Sequence, residues 1–153
     1  IYGFGNSNSA RGRTLVSSLG NQVSYGTFGD ASNAYEGGCS SNVRGLASGS
    51  SNTILYFTLA SDGGTTDFGD RTVSGQCEST SNNTRGIIYD NATNVIDYVT
   101  IASAGNATDF GNQDYVASNT GIAAAASTTR AVNGGGWGSE VFNKISYLTF
   151  SST

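Results

Sequence analysis

The chain has no histidine, no proline and no methionine, and only 12% of its 153 residues are charged. Each absence excludes something. Without histidine, the commonest general base and the commonest metal ligand are missing. Without methionine, the chain is expected to be processed, excised from something longer, or read without its start. No apolar run reaches the roughly 18 residues that a membrane-spanning helix needs. No charged segment followed by an apolar one opens the chain, so a signal peptide is expected to be gone already. Lys and Arg number seven against eleven Asp and Glu, for a net charge of −4. That balance disfavours nucleic-acid binding. Strong helix formers are sparse, and glycine interrupts every candidate helical window. Serine is plentiful, but there is no Gly-x-Ser-x-Gly elbow, no phosphate-cradling glycine loop and no dinucleotide fingerprint. The expectation is a protein that is not an enzyme and carries no cofactor.

What is present is polar, small and aromatic. Gly (22), Ser (22), Thr (17) and Asn (15) make up half of the chain. Eight Tyr, seven Phe and one Trp, with β-branched segments at regular spacing, argue against a disordered linker. Low charge with abundant Thr, Ser, Asn and Gly points to extracellular β structure.

A repeat organises these residues. Ile54-Leu-Tyr-Phe-Thr-Leu-Ala-Ser61 returns as Ile96-Asp-Tyr-Val-Thr-Ile-Ala-Ser103 and as Ile145-Ser-Tyr-Leu-Thr-Phe-Ser-Ser152. Fourteen residues after the first Ile of the first two copies stand Phe68 and Phe110, in Thr66-Asp67-Phe68-Gly69-Asp70 and Thr108-Asp109-Phe110-Gly111-Asn112. An arginine then follows, in Thr84-Arg85-Gly86 and Thr129-Arg130-Ala131. A degenerate first copy is expected from Thr27-Phe28-Gly29-Asp30 and Val43-Arg44-Gly45, with Thr14-Leu-Val-Ser17 in the place of the strand template. The phenylalanines lie 40 and 42 residues apart, and the arginines 41 and 45. Gly134-Gly-Gly-Trp-Gly138 reads as a loop insertion that stretches the last interval.

Cut at the arginines, the chain gives units of about 1–44, 45–85 and 86–130 and a partial unit 131–153 that holds two strands, all in one repeat domain. Each unit is expected to hold a strand after the arginine, a polar turn, the Tyr-bearing strand, a Gly-Asn turn, the Thr-Asp-Phe-Gly strand and a fourth segment. Ile96, Tyr98 and Thr100 face one way and Asp97, Val99 and Ile101 the other, with apolar residues on both faces, so both faces are expected to be half-buried. Three or four antiparallel strands in about 42 residues is the size of one propeller blade. The two ends carry the same half of the unit and do not complete each other. Partner chains or a longer parent are therefore expected to complete the sheets.

The candidate site residues recur with the repeat. Arg44, Arg85 and Arg130 could line a binding surface, but a once-per-repeat charge more often serves the repeat interface. Asp67 and Asp109, with Asp30, Asp70 and Asp114, offer hard oxygen ligands for calcium; the competing reading is that Asp in Thr-Asp-Phe-Gly caps its own turn. Phe28, Phe68 and Phe110 mark the repeat interface. Tyr56, Tyr98 and Tyr147 could stack on sugars, but strand-interior tyrosines are more often core. Cys39 and Cys77 precede Arg44 and Arg85 at roughly equivalent places, so a disulfide is one reading and two free thiols the other. Asn82, Asn91 and Asn106 match the glycosylation pattern, as expected by chance in so Asn- and Thr-rich a chain.

The unit Thr-Arg-Gly-Ile-Ile followed by Ile-x-Tyr-x-Thr-Ile-Ala-Ser-x-Gly-Asn-Ala-Thr-Asp-Phe-Gly resembles a kelch-like β-propeller repeat. The phrases Thr-Ile-Ala-Ser and Asn-Ala-Thr-Asp-Phe-Gly resemble repeat arrays in virion structural proteins of marine tailed phages. The resemblance covers almost the whole chain. It implies an all-β fold of antiparallel blades, about three and a half kelch-like units. It also implies a structural or adhesive role, as an extracellular or virion component (fibre, appendage or capsid decoration) that forms a homo-oligomer or part of a larger assembly. The alternative is a lectin-like propeller with weak glycan sites in the repeat loops.

Overall fold

A computed structural model describes residues 2–4, 10–14, 17, 20–27, 35–61, 63–116, 120–138 and 140–150. Phe28 and Asp30, two of the residues singled out above, lie outside them. The described residues form fourteen strands and no helix, all paired antiparallel. The strands fall into four separate sheets. The first holds β1 (Tyr2–Phe4), β2 (Ala10–Arg13) and β3 (Val23–Thr27). The second holds β4 (Tyr35–Ser40), β5 (Arg44–Gly49), β6 (Thr53–Thr58) and β7 (Thr66–Asp70). The third holds β8 (Cys77–Ser81), β9 (Arg85–Asp90), β10 (Val95–Thr100) and β11 (Thr108–Asn112). The fourth holds β12 (Thr120–Ala126), β13 (Arg130–Trp137) and β14 (Ile145–Thr149). Each sheet is an up-and-down meander in chain order.

The sheets are out of phase with units cut at the arginines. Each arginine opens the second strand, and the Ser- and Thr-rich segment before it is the first strand of the same sheet: Cys77–Ser81 pairs with Arg85–Asp90. The partial last unit accordingly gains β12 and has three strands. The first copy also shifts. Thr14 is outside any strand and Ser17 lies in a turn, while Val23-Ser-Tyr-Gly-Thr27 forms β3 and matches Ile145-Ser-Tyr-Leu-Thr149 in β14. The arginine of that copy is Arg11 in Ala10-Arg11-Gly12, on β2. Glycines and a long β2–β3 connection blur this copy, which hides its period.

The Thr-Asp-Phe-Gly motif is a β-bulge. Ile54 pairs with Gly69 and Leu55 with Asp67, so Phe68 is the extra residue; Ile96, Gly111, Asp97 and Asp109 repeat the arrangement around Phe110. The bulge needs a left-handed backbone at the glycine, and φ is +140° at Gly69 and +138° at Gly111. The Asp67 and Asp109 carboxylates accept the backbone N–H of Gly69 and Gly111 at 3.0 and 2.7 Å. The bulge turns the phenylalanine onto the tyrosine of the third strand. Tyr56–Phe68 and Tyr98–Phe110 are edge-to-face pairs, each with centroids 6.1 Å apart.

Both faces of the middle sheets are covered. Leu46, Ile54 and Phe68 of the second sheet pack against Cys77, Ile88, Val99 and Ile101 of the third. The other face of the third sheet, with Ile87, Tyr89 and Ile96, packs against Ala131 and Phe150 beyond it. First strands lie side by side across the sheets: Ser81 Oγ donates to the Ser40 carbonyl at 2.6 Å and accepts from the Ser40 N–H at 3.0 Å. β4 touches β8, and β8 touches β12.

Candidate interaction surface

One arginine and one tyrosine per sheet build the surface. The guanidinium of Arg44 lies 4.7 Å from the ring centroid of Tyr56, that of Arg85 4.9 Å from Tyr98, and that of Arg130 4.9 Å from Tyr147. The first sheet departs from this pattern: Arg13 lies 4.9 Å and Arg11 5.5 Å from the Tyr25 ring, and Arg11 is nearer to Phe57 of the second sheet, at 4.5 Å. A cation over an aromatic face keeps its N–H groups available, and those of Arg11, Arg44 and Arg85 reach on to the next sheet. There they meet carbonyls just past the end of the third strand. Arg44 Nη1 donates to Ala102 at 2.9 Å and Ile101 at 3.2 Å, Arg85 Nη1 donates to Phe150 at 2.8 Å, and Arg11 Nη2 donates to Gly63. Carbonyls at a strand end have left the sheet ladder and need a donor. The arginines thus sit at three successive junctions between sheets.

The fourth sheet presents the same face, and among the described residues no sheet covers it. Val132, Ile145 and Tyr147 stand where Leu46, Ile54 and Tyr56 stand in the second sheet. Leu46 and Ile54 are 1% and 0% exposed, whereas Ile145 is 79% and Tyr147 66% exposed. Arg130 is stacked on Tyr147 as its counterparts are, yet among the described residues its guanidinium meets no carbonyl of a following sheet. Trp137, at the other end of β13, and Val141, bridged to it, are also exposed.

The fourth sheet also lacks the outer strand. β6 and β10 are paired along both edges, but β14 is paired only with β13 among the described residues. Beside its free edge, between it and β11, runs a groove of about 450 Å³. Tyr89 lines it, is 1% exposed, and its hydroxyl has no hydrogen-bond partner among the described residues. Burial, and then the nearby Tyr115, pushes the Tyr89 phenol well above its ordinary range. Lys144 and Asp114, both exposed and 3.8 Å apart, sit nearby, and Asp114 accepts the Ser146 hydroxyl at 2.8 Å.

A buried polar chain, invisible in the repeat pattern, crosses the same sheets. Arg71 pairs with Asp90 at 3.3 Å, with both side chains almost fully enclosed. Arg71 Nη2 also donates to the carbonyls of Gly49 and Ser51, both at 2.8 Å. Asp90 Oδ1 accepts the N–H groups of Ala92 and Thr93, so the carboxylate also closes the β9–β10 turn. Gln113 follows β11 as Arg71 follows β7. It donates to the Asp90 carbonyl at 2.9 Å and accepts from Asn133 Nδ2 at 2.8 Å. Asp97, also buried, accepts both the N–H and the hydroxyl of Thr72. The only clue in the sequence was a charged or amide residue directly after each Thr-Asp-Phe-Gly strand.

The other candidates fall in place one by one. Asp67 and Asp109 are committed to their own bulges, and the described residues contain no group of three His, Cys, Asp or Glu side chains placed to hold a metal. Of the two readings of Cys39 and Cys77, the structure shows two thiols with no disulfide between them. The Ser40–Ser81 and Asn42–Asn83 contacts set β4 and β8 in a register of 41 residues, which puts Thr80, not Cys77, beside Cys39. The offset of three residues is about 10 Å along the strands, beyond the reach of a bridge. Burial, and then Cys77, pushes the Cys39 thiol up to about 12. The Asn82 side-chain amide oxygen accepts the Arg85 N–H within its own turn, and that of Asn106 accepts the Asp70 N–H of the second sheet. No described helix is long and apolar enough to cross a membrane. No protein-family model and no curated protein matches the chain.

Proposed function

We propose that the protein is a structural, assembly-forming β-repeat component, and that its sheets are units of an array continued by other chains. The observation that carries this reading is the face of Arg130, Val132, Ile145 and Tyr147. It repeats, residue for residue, a face that the second and third sheets keep covered by the sheet that follows. An apolar face of this kind is costly in water unless something covers it. The occupant it fits is the first sheet of a second copy. That sheet's third strand, Val23-Ser-Tyr-Gly-Thr27, belongs to the same series as the strands whose ends receive Arg44 and Arg85. The kelch-like resemblance supports arranging the sheets as propeller-type blades. The phage resemblance supports a virion or extracellular setting, as a fibre, appendage or decorating component.

The lectin reading has one observation in its favour, the exposed rings of Tyr147 and Trp137. Against it, Tyr56 and Tyr98 in the same repeat position are half-buried beneath arginines. Light scattering and a glycan array on the same preparation separate the two. Assembly with a silent array supports the structural reading. A monomer with repeated weak glycan binding supports the lectin.

A further inference from the structure

The outer strand that the fourth sheet does not show among the described residues has a definable sequence. In the second and third sheets the strand on that edge reads Thr-Asp-Phe-Gly-Asp or Thr-Asp-Phe-Gly-Asn. Its phenylalanine lies edge-on against the tyrosine of the third strand. Tyr147 has no such partner among the described residues and is 66% exposed.

A second surface specifies what comes just before that strand. On the second sheet, β7 holds the loop that leads into β11. Gly105 N–H donates to the Phe68 carbonyl at 2.7 Å, and Ala107 N–H donates to the Asp70 carbonyl at 2.8 Å. Asn106 Oδ1 accepts the Asp70 N–H at 3.0 Å. The approach is so close that a Cβ on Gly69 would strike the Gly105 carbonyl. On the third sheet, Phe110 and Asn112 are the counterparts of Phe68 and Asp70, and no such loop reaches them among the described residues. A Cβ on Gly111 would meet nothing within 4 Å. The gap is therefore bounded on one side by the free edge of β14 and on the other by β11, with the unpartnered hydroxyl of Tyr89 in its lining.

We propose that this groove is a strand-acceptor site for an extended Gly-Asn-Ala-Thr-Asp-Phe-Gly segment of a polypeptide built of the same repeat. The segment adds antiparallel to β14 by main-chain hydrogen bonds, the mode known as β-augmentation. Its phenylalanine lies against Tyr147, its aspartate braces its own bulge, and its Gly-Asn turn donates to Phe110 and Asn112. The proposal rests on the assembly reading and names the chemistry of the partner.

The test uses the full chain and a peptide with the sequence of residues 103–113, Ser-Ala-Gly-Asn-Ala-Thr-Asp-Phe-Gly-Asn-Gln. Calorimetric titration is expected to give one site per chain. The peptide with Phe→Ala is expected to bind on the order of tenfold more weakly or worse, as for loss of an interface anchor. To guard against weak binding in trans, the same segment is also appended to the end of the chain, where tethering raises its effective concentration to about millimolar. The appended chain is expected to unfold at a higher temperature than an otherwise identical chain with Phe→Ala in the appendage. Equal unfolding temperatures, or binding that ignores the phenylalanine, overturn the proposal. Light scattering separates its failure from that of the assembly reading. A chain that assembles but shows no phenylalanine-dependent effect sinks the acceptor site alone. A chain that stays monomeric yet shows the effect keeps the acceptor site and sinks self-assembly.

Discussion

At the scale of single residues, buried ionisable groups are more consequential than exposed ones. Arg71 and Asp90 are the enclosed ion pair, and removal of one partner from such a pair leaves a charge with no compensation. Arg71→Met is expected to cost about 3 kcal/mol or more in urea unfolding. Adding Asp90→Asn should restore part of it, because the Oδ1 bonds to Ala92 and Thr93 survive the change. A double variant no better than the single one would contradict this division of roles. Alkaline pH probes another set. Cys39 is held protonated up to about 12 against an ordinary 9.0, and Tyr89 is shifted upward as well. The folded state therefore holds protons that the unfolded chain releases. That contribution to stability is fully present below about pH 9 and is lost as pH rises toward 12. Urea midpoints at pH 7, 9 and 10.5 should be level between the first two and fall at the third; no fall would show the thiol and phenol to be less enclosed than described.

At the scale of elements, the Thr-Asp-Phe-Gly strand shows how far the sequence can be read. Its spacing after the Tyr-bearing strand, its aspartates and its glycines announced a recurring local structure, and alternation along Val95–Thr100 announced two covered faces. What the spacing could not show was that Phe68 and Phe110 are bulge residues, or which strands share a sheet. Sequence orders residues along the chain, while hydrogen-bond partners set the sheet boundaries; the arginine, the most visible landmark, opens the second strand of a sheet and does not mark its edge. The polar chain through Arg71, Asp90, Gln113 and Asn133 escaped for a similar reason. These residues are chemically unlike one another, and only folding brings them together. The two bulges also differ in what covers them. Phe68 is 3% exposed beneath the third sheet, while Phe110 is half-buried and faces the groove. Phe68→Ala is expected to cost about 3–5 kcal/mol and Phe110→Ala clearly less, by urea unfolding of the two variants side by side. Equal costs would mean that the groove is as tightly filled as the junction between the second and third sheets.

At the scale of the whole molecule, the second, third and fourth sheets succeed one another through a recurring junction: apolar residues from both faces, first strands side by side, and an arginine held on a tyrosine with its N–H groups on the next sheet's strand-end carbonyls. Such arrays draw stability from nearest-neighbour interfaces, and their end units need either a polar cap or a partner. Among the described residues nothing caps the fourth sheet, and Ile145, Tyr147 and Val132 are exposed. The most direct test is sedimentation velocity across a concentration series, on the native chain and on the Tyr147→Asp variant. The structural account predicts species that grow with concentration well beyond 15.6 kDa for the native chain, and a single 15.6 kDa species for the variant, still folded by circular dichroism. A native chain that remains at 15.6 kDa at every concentration, or a variant that assembles as the native chain does, would contradict it.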